Sequence, residues 1–251
     1  MKLTQKEATW SPMANKPKQI ISIQEVRERR GILVHGDSGA GKSLLLTSAP
    51  RGLVLAVDNT LDTAKLAGRE CEVWPVNAWE DCRECYLYLL RGGHNDYEWF
   101  GVDNVTVGQR LNMDELLKIE YDRSNGKRDP DIPTRNDYLK NQKNFLRFIQ
   151  AVNALPMKVM FSAWSMWSGE EAGLGQRIPA LHGGKGEFSN AICAEMRAVG
   201  YMAANEETGK RGIAWKPTAR WYARDGFNAF GEGVAEPTIP KLEAMIAKKG
   251  Q

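Results

Sequence analysis

The chain has 251 residues, of which 42% are hydrophobic and 26% charged, with a formal net charge of +3. This composition supplies a sizeable core and excludes the disordered, collagen-like and disulfide-stapled classes. The mild positive charge permits an acidic partner such as ATP or DNA but does not point to one by itself.

Residues 1–30 are polar and basic apart from a short apolar patch at Ile20–Ile23. They read as an arm or linker ahead of a single domain over 31–251. Gly31–His35 is an apolar run ending at a Gly-rich turn, as a buried parallel strand does. A helix over Lys42–Ser48 follows and stops at Ala49-Pro50, because the residue before proline is steered out of the helical region. Strands are expected at Leu53–Val57, Glu72–Val76 and Trp99–Val102. A helix is expected over Trp79–Leu90.

Cys82 and Cys85 form a C-x-x-C inside that helix. With only Cys71 and Cys193 elsewhere, no second pair stands at zinc spacing, so structural thiols are expected. Helices over Val107–Tyr121 and Tyr138–Ala154 flank a turn-rich loop at Asp122–Pro133. A strand over Lys158–Ala163 leads into a Gly-rich loop at Ser165–Gly186. A helix at Phe188–Glu195, strands at Ala198–Met202, Ile213–Trp215 and Arg220–Tyr222, and a helix at Pro240–Lys248 complete the pattern. Strands alternating with helices imply an α/β fold with a mostly parallel sheet flanked by helices, followed by C-terminal antiparallel strands. With no membrane-length apolar run, a cytoplasmic setting is expected.

Gly36-Asp37-Ser38-Gly39-Ala40-Gly41-Lys42-Ser43 fits G-x-x-x-x-G-K-[ST] between a predicted strand and helix, the context this phosphate-binding motif requires. Glycines let backbone N–H groups close on phosphate oxygens, and the helix N-terminus adds its positive dipole end. Lys42 is expected on the β- and γ-phosphates of ATP, with the Ser43 hydroxyl on Mg²⁺. Asp103, ending the Trp99–Val102 strand, is the candidate second magnesium anchor. Asp58, ending the preceding strand, is assigned to the neighbouring water network. His35 is read as a packed strand-end residue.

ILVHGDSGAGKSLLLTSAP, GLVLAVDNT, WFGVDNVT, FLRFIQAVNALPMKVMFSAW, the segment from Ile178 to Ala204 and TARWYARDGF resemble the RecA-like P-loop ATPases, and more narrowly the phage single-strand-annealing ATPases. The resemblance implies ATP-dependent binding of single-stranded DNA, annealing in recombination, self-assembly into rings or filaments, and cooperation with a single-stranded-DNA-binding protein. By position it places DNA against Arg123, Lys127 and Arg128 in one loop and Trp167, Arg177 and Lys185 in the other. Cations neutralise phosphates and tryptophan stacks on bases. Trp164 is expected in the core or beside the nucleotide.

Such sites lie between protomers, so Arg220 and Arg224 are candidates to reach a neighbour's γ-phosphate, with Lys216 third. RecA-like enzymes generally carry a glutamate where this chain has Thr60. The water-orienting carboxylate is then missing or shifted to Asp58 or Asp62, and slow hydrolysis is expected. The alternatives are a helicase-loader or remodelling ATPase acting on a protein, a small-molecule phosphotransferase, and an ATP-gated binding module. A phosphotransferase predicts an Arg-rich lid, and the Gly-rich segment offers only Arg177.

Overall fold

The computed structural model of the protein describes residues 31–58, 61–169 and 175–249. The expected arm over 1–30 and the Thr60 position lie outside them, as does the side chain of Lys185. Strand β1 (Ile32–Gly36) is buried at every position. It pairs in parallel with β5 (Lys158–Trp167) on one side and β7 (Ala198–Ala204) on the other. Beyond β5 lie β4 (Trp99–Asp103), β2 (Gly52–Ala56) and the edge strand β3 (Glu72–Pro75), all parallel. The parallel order is β7-β1-β5-β4-β2-β3, so β5 is inserted between the P-loop strand and the strand that ends in Asp103.

Beyond β7 the direction reverses. Strands β8 (Arg211–Ala214) and β10 (Gly233–Ala235) extend that edge antiparallel, and β9 (Arg224–Asp225) pairs with the start of β7. This is the expected α/β architecture, a mostly parallel sheet flanked by helices with antiparallel strands toward its C-terminal end.

Side-chain alternation along the strands sends apolar residues to both faces, as a doubly covered parallel sheet demands. Leu33, Leu55 and Phe100 join one core with α3 (Trp79–Leu90), α5 (Arg135–Asn153) and α6 (Glu187–Glu195). Ile32, Val34 and Val54 join the other with α1 (Lys42–Leu46) and α7 (Ile239–Lys249). Cys82 and Cys85 sit on the buried face of α3, where burial pushes both thiols up to about 12. They are packing residues, as expected.

The departures from the expected elements have local causes. A short helix α2 (Asp62–Leu66) follows Asp58 where none was expected. Helix α4 (Val105–Arg123) starts earlier than the apolar spacing indicated, because the Asn104 side chain accepts from Val107 N and caps it. Helix α5 likewise starts early. Asp137 accepts from both the backbone N–H and the hydroxyl of Thr134 at 2.7 Å, closing a capping box.

The segment expected as one loop from Ser165 is in part a hairpin stem. Strand β5 continues through Trp167, and β6 (Arg177–Pro179) folds back on it. The strand expected at Arg220–Tyr222 is reduced to a single parallel bridge, Trp221 against Arg177, after a bend in which the Thr218 hydroxyl accepts from Arg220 N and Trp221 N at 3.1 and 3.2 Å. No helix among the described residues is long and apolar enough to cross a membrane.

Candidate functional site

The parallel strands β1, β2 and β4 end on one edge of the sheet, where open α/β sheets bind ligands. The loop after β1 turns through Gly39 and Gly41, with φ of 80° and 100°, conformations that favour glycine. It delivers Lys42 to the start of α1. Lys42 is 6% exposed, and its ammonium donates to the carbonyls of Gly36 and Asp37 at 3.0 and 2.8 Å. Burial lowers its pKa, while Asp103, Asp58 and Asp37 oppose that shift. A lysine held among backbone carbonyls and three carboxylates is a cation aimed into the site rather than at bulk water.

A cavity of about 500 Å³ opens over this loop, lined by Gly41, Lys42 and Ser43 on one wall and Asp58, Asp103 and Asn104 on another. Asp103 is 1% exposed. One carboxylate oxygen accepts from the Ser162 hydroxyl, and Oδ2 has no hydrogen-bond partner among the described residues. Burial raises the Asp103 pKa and the Asp58 charge adds to it. The hydroxyls of Ser162 and Ser43 and the Lys42 ammonium hold it down.

An orphaned buried carboxylate oxygen beside a serine hydroxyl is a donor set that suits Mg²⁺ when phosphate and water complete its shell. No group of three or more His, Cys, Asp or Glu able to hold a metal occurs among the described residues.

Asp58 receives the Asn104 side-chain amide, while Asn104 Oδ1 caps α4 at 3.0 Å from Val107 N. Asn104 therefore ties the ends of β2 and β4 to a helix. Sequence reasoning passed over it, although an Asn directly before an apolar-periodic helix is a recognisable cap signal. Asp62 also lines the cavity, from α2. Trp164 is another lining residue, beneath the guanidinium of Arg110 at 5.0 Å from its ring centroid. Arg211, from β8, is a lining residue that sequence reasoning did not single out.

Arg177 does not project from an open loop. Its guanidinium donates to Asp37 of the P-loop at 2.5 Å and lies 4.8 Å from the centroid of the Trp167 ring. The β5–β6 stem is thus fastened to the phosphate loop. Arg123, Lys127 and Arg128 lie apart from the cavity, around the turn after α4. Arg128 pairs with buried Asp137 and with Glu120, and Arg123 pairs with Glu120 at 3.2 Å, while Lys127 is exposed. Burial alone would raise Asp137, but Arg128 and the Thr134 N–H and hydroxyl bring it down to about 2.

Of the two arginines expected to reach a neighbour, Arg220 is exposed. Arg224 is turned inward: its guanidinium donates to the carbonyls of Cys193, at 2.9 Å, and Met196 at the end of α6. Lys216 is exposed and pairs with Glu232 at 3.0 Å. His35 is fully buried. Its Nε2–H donates to Tyr222 O and Nδ1 accepts from the Ser165 hydroxyl, both at 2.9 Å. Burial lowers its pKa to about 4, so it is a neutral packing residue.

A protein-family model described as an AAA domain matches residues 28–227. The chain belongs to this AAA-domain family. Its P-loop, Lys42 and Asp103 lie inside the matched region, so the AAA domain here is a nucleotide-binding P-loop domain of the ATPase kind. No curated protein matches the chain. Among solved structures, the AAA domain is similar to the RadB recombinase, at 9% identity and a TM-score of 0.46 over 75% of this chain and 83% of that one.

Proposed function

We propose that this AAA domain binds ATP with magnesium, hydrolyses it slowly, and uses the bound nucleotide to hold single-stranded DNA for annealing, in the manner of the phage single-strand-annealing ATPases. The observation that carries the reading is the direct fastening of the β5–β6 stem to the P-loop. Arg177 touches both Asp37 and the ring of Trp167, so an aromatic and cationic element suited to stacking on bases contacts the phosphate loop itself.

In this reading the P-loop amides and Lys42 hold the phosphates, and Ser43 Oγ and Asp103 Oδ2 would hold the magnesium. The ion would neutralise phosphate charge when bound. Asp58, kept in place by Asn104, and Asp62 are the carboxylates near enough to the cavity to order a water. Neither stands at the position usual for a RecA-like catalytic glutamate, which supports slow turnover. Arg220 remains the candidate for contact with a neighbouring protomer in a ring or filament. Arg224 is better read as the α6 cap. Arg123, Lys127 and Lys185 are kept as further DNA contacts, with Arg128 a scaffold for that turn.

ATP turnover and binding of labelled single strands, measured with and without nucleotide for wild type and Lys42→Ala, test the proposal. Single-strand binding that requires both ATP and Lys42 is expected, with duplex DNA bound less well. If single strands alter neither turnover nor retention while ATP still binds, the DNA reading is wrong and a protein partner becomes the better target.

A further inference from the structure

We infer that Arg211 is a second cation for the bound nucleotide, supplied by the same protomer and acting on the part of the phosphate chain away from the γ-phosphate. The inference rests on the nucleotide-binding reading above and adds a residue that the P-loop motif does not contain. Arg211 begins β8, 170 positions after the P-loop glycine that its side chain covers. A methyl group on Gly41 would lie 2.4 Å from Arg211 Cδ and 2.7 Å from its Nε. The side chain is therefore pressed along the backbone of the last P-loop glycine. It also lines the cavity that Lys42 and Ser43 enter.

The approach is fixed by backbone rather than chance. Arg211 N donates to the Glu236 carboxylate at 2.8 Å, and Arg211 O accepts from Glu236 N at 2.7 Å. Strand β8 in turn pairs with β7 in register, Ala204 against Arg211. An arginine on a defined strand, lying along a loop whose amides face phosphate, matches the planar multi-donor geometry that suits phosphate oxygens.

Sheet order then decides which phosphates it can serve. Asp103 ends β4 and Asp58 lies just past β2, on the β5 flank of β1, whereas β8 lies on the opposite flank beyond β7. Asp103 and Ser43 are the residues that would hold magnesium, whose charge would serve the γ-phosphate end of the chain. Arg211 therefore faces the α-phosphate side, a group that ATP and ADP share.

Fluorescent ATP and ADP, titrated with magnesium into the full chain, provide the test for wild type, Lys42→Ala, Arg211→Gln and Arg211→Lys. Thermal melting of each variant separates loss of fold from loss of contact. Arg211→Gln is expected to weaken ATP and ADP by the same factor, on the order of tenfold. Arg211→Lys should recover part of that loss, because it keeps the charge without the fork.

Unchanged affinity in a folded Arg211→Gln would overturn the inference and leave the nucleotide reading standing. A loss confined to ATP would overturn the assignment to the α-phosphate side. Wild type without Lys42-dependent nucleotide binding would remove the nucleotide reading, and this inference with it.

Discussion

The buried His35 makes a pH-dependent contribution to stability that can be worked out from its surroundings. In the unfolded chain its imidazole takes a proton near pH 6.5, whereas burial in the fold lowers that value to about 4. Between those values the unfolded state binds more protons, so stability falls as the pH falls. The contribution is fully present above pH 6.5 and lost progressively toward pH 4. Between pH 7.5 and 4.5 it amounts to roughly 2–3 kcal/mol.

Carboxylates titrate over part of the same range, so the informative quantity is a difference between proteins. In His35→Gln the side chain can still donate toward Tyr222 O but has no proton to gain. Urea unfolding followed by tryptophan fluorescence at several pH values should show wild type losing roughly 2–3 kcal/mol more than the variant across that interval. The other histidines, His94 and His182, are common to both proteins and cancel. Parallel stability profiles would refute the reasoning, because they would mean that the folded protein accepts a proton on His35 as easily as the unfolded chain does.

Three further expectations follow from the site and its scaffold. Asp103→Asn should weaken magnesium-dependent ATP binding on the order of tenfold or more. In wild type that binding should decline with falling pH before the ordinary carboxylate range of about pH 4 is reached, because burial raises Asp103. Calorimetric titration over a pH series checks both, and binding that stays flat down to that range would contradict the assignment. Arg128→Ala leaves buried Asp137 without its cation and should lower stability in urea unfolding, by less than breaking a fully buried pair does because Arg128 is partly exposed. A cost below about 0.5 kcal/mol would make that pair incidental. Arg224→Ala should lower stability by about 1–2 kcal/mol through the freed α6 carbonyls, with turnover per folded molecule unchanged. A turnover defect with normal stability would restore Arg224 as a candidate in the neighbour's site.

The sequence was most informative where chemistry is local. The P-loop is a contiguous motif, and the Trp99–Asp103 strand is a buried apolar run with a carboxylate at its end, so both could be read without tertiary context. The Trp79–Leu90 helix was legible because Trp79, Cys82, Cys85 and Leu89 recur at helical spacing toward the core. The β5–β6 stem was not, because Ser165–Trp167 is only half-buried and its partner is a short strand, Arg177–Pro179, without a clear alternation of its own.

Side-chain destinations were harder still. A TARWYARDG segment does not reveal that Arg224 finds the end of α6 some thirty positions earlier, or that Arg211 folds along Gly41. Those outcomes depend on which strands become neighbours at the antiparallel edge, and pairing there is set by long-range packing rather than residue preference.

Strand β5 runs unbroken for ten residues from Lys158 to Trp167, roughly 30 Å of extended chain. Ser162, near its middle, holds Asp103, and Trp167, at its end, meets the guanidinium that grips Asp37. No turn separates these positions. The fixed rise per residue of extended chain therefore sets the spacing between the Asp103 carboxylate and the Trp167 ring, so the two contacts are measured off along one continuous element.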